Sequence, residues 1–239
     1  MAAAFQAVNT PVATVTTTLS LVAPVILGGD VMFAMIHTND NVAPTTTDTN
    51  WTVIANADNT ANQHAYLAWR RCSDADSEAT FAWTVAGTTV AFGALVTYRN
   101  VIRAGQTGLP YTTASTQATA VAEDNVNYAT LMPYGPSALI VAFGFYNDDL
   151  TTAGAFSGTL PTMTNRLDAE SPTGNDASLF IHDGPSLNGA ATGARTLATA
   201  STADAISYGI MIDVMADEFP GASTSYSPKH PALFRSRAR

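Results

Sequence analysis

Two stretches constrain this chain more than any others. Residues Asp30 to Asp40 (DVMFAMIHTND) and Ala138 to Asp148 (ALIVAFGFYND) each run through an apolar segment of strand length, stop at an Asn-Asp pair, and align at a spacing of 108 residues. An apolar run of that length bounded by turn residues reads as a buried strand. The segments C-terminal to the two runs match as well. Pro161 to Thr164 stands where Asn50 to Thr52 stood, Ala177 to Ile181 matches Ala65 to Trp69 at a spacing of 112, and Arg195 to Ala200 followed by Ile206 to Val214 matches the last two strands of the first set. The order is kept and the offset grows only through loop lengths, so the chain reads as two copies of one β-unit.

Between these anchors the pattern is one of short strands and turn clusters. Residues 1 to 10 form a small-residue lead-in, and Ala13 to Leu21 (ATVTTTLSL) reads as an outer strand rich in β-branched side chains. Trp51 to Ala55, His64 to Cys72, Ala79 to Val85 and Ala91 to Val101 come next, separated by Asn, Asp, Gly and Pro at the spacing of a sandwich. In His64 to Cys72, Tyr66 and Ala68 fall on one face and Ala65, Leu67 and Trp69 on the other. Residues 102 to 135 read as a connector followed by one more Thr-rich strand, Thr112 to Ala122. Two halves that cannot each cover both of their faces are expected to merge. The expected fold is therefore all-β: an antiparallel, jelly-roll-like β-sandwich over residues 1–218, built from half one (about 11–101) and half two (about 112–218), with an extended C-terminal arm over 219–239.

Charge separates the arm from the body. The chain carries a net charge of −9, yet Phe219 to Arg239 has no acidic residue and holds four of the ten basic ones, Lys229, Arg235, Arg237 and Arg239. The arm is thus at +4 and the preceding 218 residues at −13. An acidic body argues against nucleic acid as the main partner. With Pro228 and Pro231 the segment reads either as a disordered, solubilising tail or as an extended arm that lies on an acidic neighbour with Leu233 and Phe234 as apolar anchors; on the second reading Lys229, Phe234, Arg235, Arg237 and Arg239 are the candidate partner-binding residues. Only 12% of residues are charged, which leaves the surface to Thr, Ser and Asn. The N-terminus lacks a basic leader, and the apolar stretch Leu19 to Ile36 is broken by Pro24, Gly28, Gly29 and Asp30. The expectation is a product made in the cytoplasm, without an export signal or a membrane span.

No residue pattern nominates a catalytic, cofactor or metal site. His37, His64, His182 and His230 are dispersed without a second ligand at i+2 or i+4, and read as strand or rim histidines. Asp74-Ala-Asp76-Ser-Glu78 places alternate carboxylates as a calcium loop does, but lacks the glycine and the distant bidentate glutamate, so a solvated turn is expected. Cys72 is the single cysteine, at a strand end beside Arg70 and Arg71, which favour a thiolate; with no second feature to support reactivity, a buried or semi-buried structural cysteine is expected. Trp51, Trp69 and Trp83 offer either a sugar-stacking platform or a core, and their alternation with Leu67 and Phe81 favours the core.

The succession Gly29-Asp-Val-Met-Phe-Ala, Asn50-Trp-Thr-Val-Ile, Tyr66-Leu-Ala-Trp-Arg, Ser77-Glu-Ala-Thr-Phe-Ala-Trp-Thr and Gly93-Ala-Leu-Val-Thr-Tyr-Arg-Asn-Val resembles duplicated β-sandwich modules of tailed-bacteriophage virion proteins and some bacterial surface proteins. In the second half Met163 to Ser171 and Ala191 to Ser201 fit the same pattern, so the resemblance spans roughly residues 28–215. It implies a non-enzymatic virion structural protein without cofactors, foremost a capsid decoration protein docking on the major capsid protein, other virion proteins or copies of itself, as in a trimer. A tail or tail-tip protein and a carbohydrate-binding module for a host surface are the alternatives. The basic arm departs from the module.

Overall fold

A computed structural model describes residues 2–58, 63–86, 90–101, 110–123, 125–133, 138–148, 153–158, 161–171, 173, 177–186, 190–199 and 205–216; side chains are outside the description at 112–123, 153–155 and 205–206. The described chain is all-β and antiparallel. Strands of the first half are β1 (Ala4–Val8), β2 (Val12–Thr14), β3 (Thr18–Val22), β4 (Val31–Thr38), β5 (Thr52–Asp58), β6 (His64–Arg71), β7 (Thr80–Thr84) and β8 (Ala91–Arg99). Those of the second are β9 (Tyr111–Glu123), β10 (Asn125–Tyr128), β11 (Leu139–Tyr146), β12 (Ala153–Phe156), β13 (Thr164–Glu170), β14 (Ser178–Pro185), β15 (Arg195–Thr199) and β16 (Ala205–Val214).

The described strands form four sheets. One main sheet has the order β1-β8-β4-β6-β5, with β2 also on β8, and the other has β9-β16-β11-β14-β13. Two small sheets, β3-β7 and β10-β15-β12, complete the set. The two main sheets thus carry corresponding strands in the same order. Both are also bulged at one matching place, between Val53 and Ala55 on β5 and between Asn165 and Leu167 on β13. A bulge inserts one residue and bends the strand, so its recurrence shapes both sheet edges alike.

Alternation along each central strand assigns the layers. Val31, Phe33 and Met35 of β4 share a core with Val141, Phe143 and Phe145 of β11, which places the two main sheets face to face. Phe33 and Phe143 meet there with ring centroids 5.6 Å apart. The opposite faces are covered by the small sheets: Met32, Ala34 and Ile36 pack on Leu19, Leu21, Phe81 and Trp83, while Ile140, Ala142 and Tyr146 pack on Val126, Tyr128 and Leu197. The central strands are therefore buried on both faces, which is why they read as unbroken apolar runs rather than alternating ones. The two main sheets share one core between them, and each half adds an outer layer of its own, giving four layers.

Several sequence expectations shift. The lead-in contains a strand, β1, because β8 offers it a pairing edge. Ala13 to Leu21 is two strands: Thr14 and Thr16 hydroxyls bond at 2.8 Å, the Thr16 amide donates to Thr14 Oγ1 at 3.1 Å, and the turned chain leaves β2 on the main sheet and β3 in the outer layer. The β6 and β14 alignment is also displaced. Ile36 faces Tyr66 and its counterpart Gly144 faces Phe180, a spacing of 114 rather than 112. A two-residue slip keeps every side chain on its face, so periodicity alone does not detect it.

Candidate functional site

The side chains singled out for chemistry are held in structural roles. Cys72 is buried, and burial first, with Asp76 second, pushes its thiol up to about 12, outweighing Arg70 and Arg71. Asp74 and Asp76 diverge rather than converge on a shared point. Asp74 Oδ1 accepts the Gly28 amide at 2.6 Å, whereas Asp76 is buried, accepts Ser73 N at 2.7 Å, and pairs with Arg70 Nη2 at 2.9 Å. The turn expected to be solvated is thus a buried anchor on one side. Arg70 also pairs with Asp48 at 2.5 Å and lies 4.6 Å from the centre of the Phe81 ring. Trp51 and Trp83 are buried against each other in the outer layer of the first half, and Trp69 packs against the shared core, in keeping with the expected core role.

Two further ion pairs fix the main sheets. Arg99 grips Asp30 with two bonds of 2.8 Å, joining β8 to the start of β4. Arg166, the bulged residue of β13, donates to both Asp183 oxygens at 2.9 Å and stacks over Phe5 of β1, so a cation of one half covers a ring of the other. Burial raises the Asp183 carboxyl against the pull of Arg166, and burial followed by the Asp183 charge raises the nearby Tyr98 hydroxyl.

One surface feature combines a pinned backbone with exposed apolar side chains. Between β3 and β4 the loop 23–30 is pinned along its backbone: Ala23 N donates to Ala79 O at 2.8 Å, Ile26 N to Ser77 Oγ at 3.2 Å, Leu27 N to Asp30 Oδ2 at 3.0 Å and Gly29 N to Cys72 O at 2.8 Å. Ile26 is driven into the core, while Val25 and Leu27 stand 70% and 56% exposed. Gly29, at φ 95°, supplies the left-handed turn into β4 that other residues resist. Beside the loop runs a groove of about 440 Å³ lined by Val8, Asn9, Thr10, Val12, Val22, Ala23 and Pro24. It tracks the edge made by β1 and β2, both of which pair only with β8 among the described residues. Asp74 and Glu78 flank the loop, and both are exposed. Sequence reading did not single out this surface, because Val25, Ile26 and Leu27 are alike in hydropathy and only the hydrogen bonds that turn the loop decide which of them face out.

The candidate arm residues Lys229, Phe234, Arg235, Arg237 and Arg239, together with His230, lie outside the described residues. Comparison with protein-family models, with curated proteins and with solved structures finds no match in any of the three.

Proposed function

We propose that this chain is a non-enzymatic structural protein of a virus particle, foremost a decoration protein that docks on the shell of a tailed phage. The observation that carries it is the apolar loop 23–30, whose backbone is fixed before any partner arrives, beside the groove along the β1 and β2 edge. A surface ordered in advance loses little entropy on docking, and exposed apolar patches of this kind serve protein contacts. Support also comes from the resemblance of the strand motifs to virion modules and from the matching strand orders, which fit duplication of one β-unit. Among the described residues, Cys72 is buried and Asp30, Asp76 and Asp183 are each paired with an arginine, which suits a structural role for these four. Burial of Trp51 and Trp83 counts against the sugar-platform alternative.

In this mechanism the loop and edge give each copy a modest contact, the basic segment 219–239 adds a second on an acidic neighbour, and the repeated lattice multiplies both. The deciding experiment quantifies this chain against the most abundant protein of the particle that carries it. A simple ratio to the shell protein is expected; a handful of copies would replace decoration with a tail role, and absence from particles would overturn both. Val25→Asp with Leu27→Asp should abolish shell binding in a folded protein. A truncation ending at Glu218 should weaken binding, and full occupancy by it would remove the arm from the mechanism.

A further inference from the structure

The layer arrangement places one histidine where an added charge would act on the joint between the halves. His37 ends the inward-facing series Val31, Phe33, Met35 on β4 and is 0% exposed. Its ring meets Phe145 of β11 edge to face at 6.5 Å, and neither of its nitrogens has a hydrogen-bond partner among the described residues. On the neighbouring strands it sits beside Ala65 of β6 and Phe92 of β8. Gln63, two residues before Ala65, is likewise 0% exposed, with both amide atoms unpartnered among the described residues. Across the joint, Asn147, the residue after β11, has a buried Oδ1 that is unpartnered in the same sense. The charges acting on the His37 ring are those of His64, which opposes protonation, and Asp40, the weaker influence, which favours it; from β8 and β11 the residues that meet it, Phe92 and Phe145, are uncharged.

We infer that His37 makes the joint between the two main sheets acid-sensitive: proton uptake there parts the sheets while the outer layer of each half stays packed. The reason lies in how the cores divide. The shared core contains residues of both halves, whereas each outer core is closed within its own half. A cation at His37 strikes only the shared one. Burial, then His64, holds the imidazole down at about 3, so at neutral pH it is uncharged. The unfolded or opened chain, with an ordinary histidine near 6.5, takes up a proton first as pH falls. Stability of the joint is therefore complete above about pH 6.5 and declines as pH drops toward 3, by up to ~10-fold in the closing equilibrium per pH unit. His182 gives an internal contrast. Burial lowers it to about 4, but it stacks on Phe156 and so loads the outer layer of the second half instead.

The test compares the full chain with His37→Phe and His182→Phe at about pH 7 and about pH 4.5, monitoring binding of an apolar dye and far-ultraviolet circular dichroism. Dye binding at the lower pH with strand signal retained is expected for the wild type and for His182→Phe, and should be absent in His37→Phe. Equal dye binding by wild type and His37→Phe would overturn the inference. Should His37→Phe not fold, hydrogen exchange at the imidazole C2 position of the wild-type protein decides. Titration of His37 in the ordinary histidine range would overturn the inference, and a strongly lowered midpoint coinciding with the onset of dye binding would sustain it.

Discussion

At matching places in the two main sheets the chain holds an arginine in one half and a glycine in the other. Arg70 of β6 lies opposite Met32, and Gly184 of β14 lies opposite Ile140, at the counterpart position. In the first half the guanidinium reaches across Trp51 and Phe81 and draws in two loops through Asp48 and Asp76. In the second, the bare glycine lets the chain at Thr162 and Met163 close down directly, with Met163 Sδ only 2.9 Å from where a Cβ would stand. That half has its own buried arginine, but it comes from the outer layer: Arg195 donates to the carbonyls of Thr192 at 3.2 Å and Ser157 at 2.9 Å. The layer order demands that the end of each outer sheet be covered and tied down. It does not dictate which sheet supplies the cation, or whether the cation finds carboxylates or carbonyls.

The contrast can be broken most severely at a second matched pair, Gly93 and Gly209, which face Ile36 and Gly144. A Cβ on Gly209 would collide with the Asn127 carbonyl, which is backbone and does not yield, whereas one on Gly93 would meet the end of the Leu19 side chain at 2.8 Å. Gly209→Ala should cost more than about 3 kcal/mol in urea unfolding. Next comes Arg70→Met, which leaves Asp48 and Asp76 without their cation and should cost about 3 kcal/mol, because an abandoned buried charge destabilises more than a missing pair. Gly93→Ala should cost about 1 kcal/mol, since a leucine methyl can rotate away. Equal losses at the two glycines would mean that the outer layers approach their sheets alike. Smallest is Tyr128→Phe. The hydroxyl is buried, has no partner among the described residues, and lies 2.6 Å from where a Gly144 Cβ would be. Removing it should leave stability unchanged or raised by up to about 1 kcal/mol, and should soften the effect of Gly144→Ala in a double-mutant cycle.

Much of the fold was legible in the chain because each central strand announces itself. Asp30 to Asp40 and Ala138 to Asp148 contain β4 and β11, and His64 to Cys72 contains β6 with its two faces assigned as observed. β10 and β12 were not legible. They are four residues each, rich in Asn, Gly and Ala, and are strands because β15 pairs with them. The candidate docking loop was hidden for a related reason. Val25, Ile26 and Leu27 look alike in sequence, yet one is buried and two are exposed, a choice made by hydrogen bonds to Ser77 and Asp30 and by the chain that carries them.

The amino-acid pattern by itself determined which segments are strands buried on both faces, where the Asn-Asp turns end them, and that the second half repeats the order of the first. Apolar content and period two carry that information, because each records only whether a side chain meets water. The tertiary structure alone decided the rest: the two-residue slip between β6 and β14, the parting of β2 from β3 into different layers, and the position of His37 inside the joint between halves. Those choices depend on which distant surface fills the space beside a strand, and an even shift or a change of partner leaves the in-and-out pattern of the sequence unaltered.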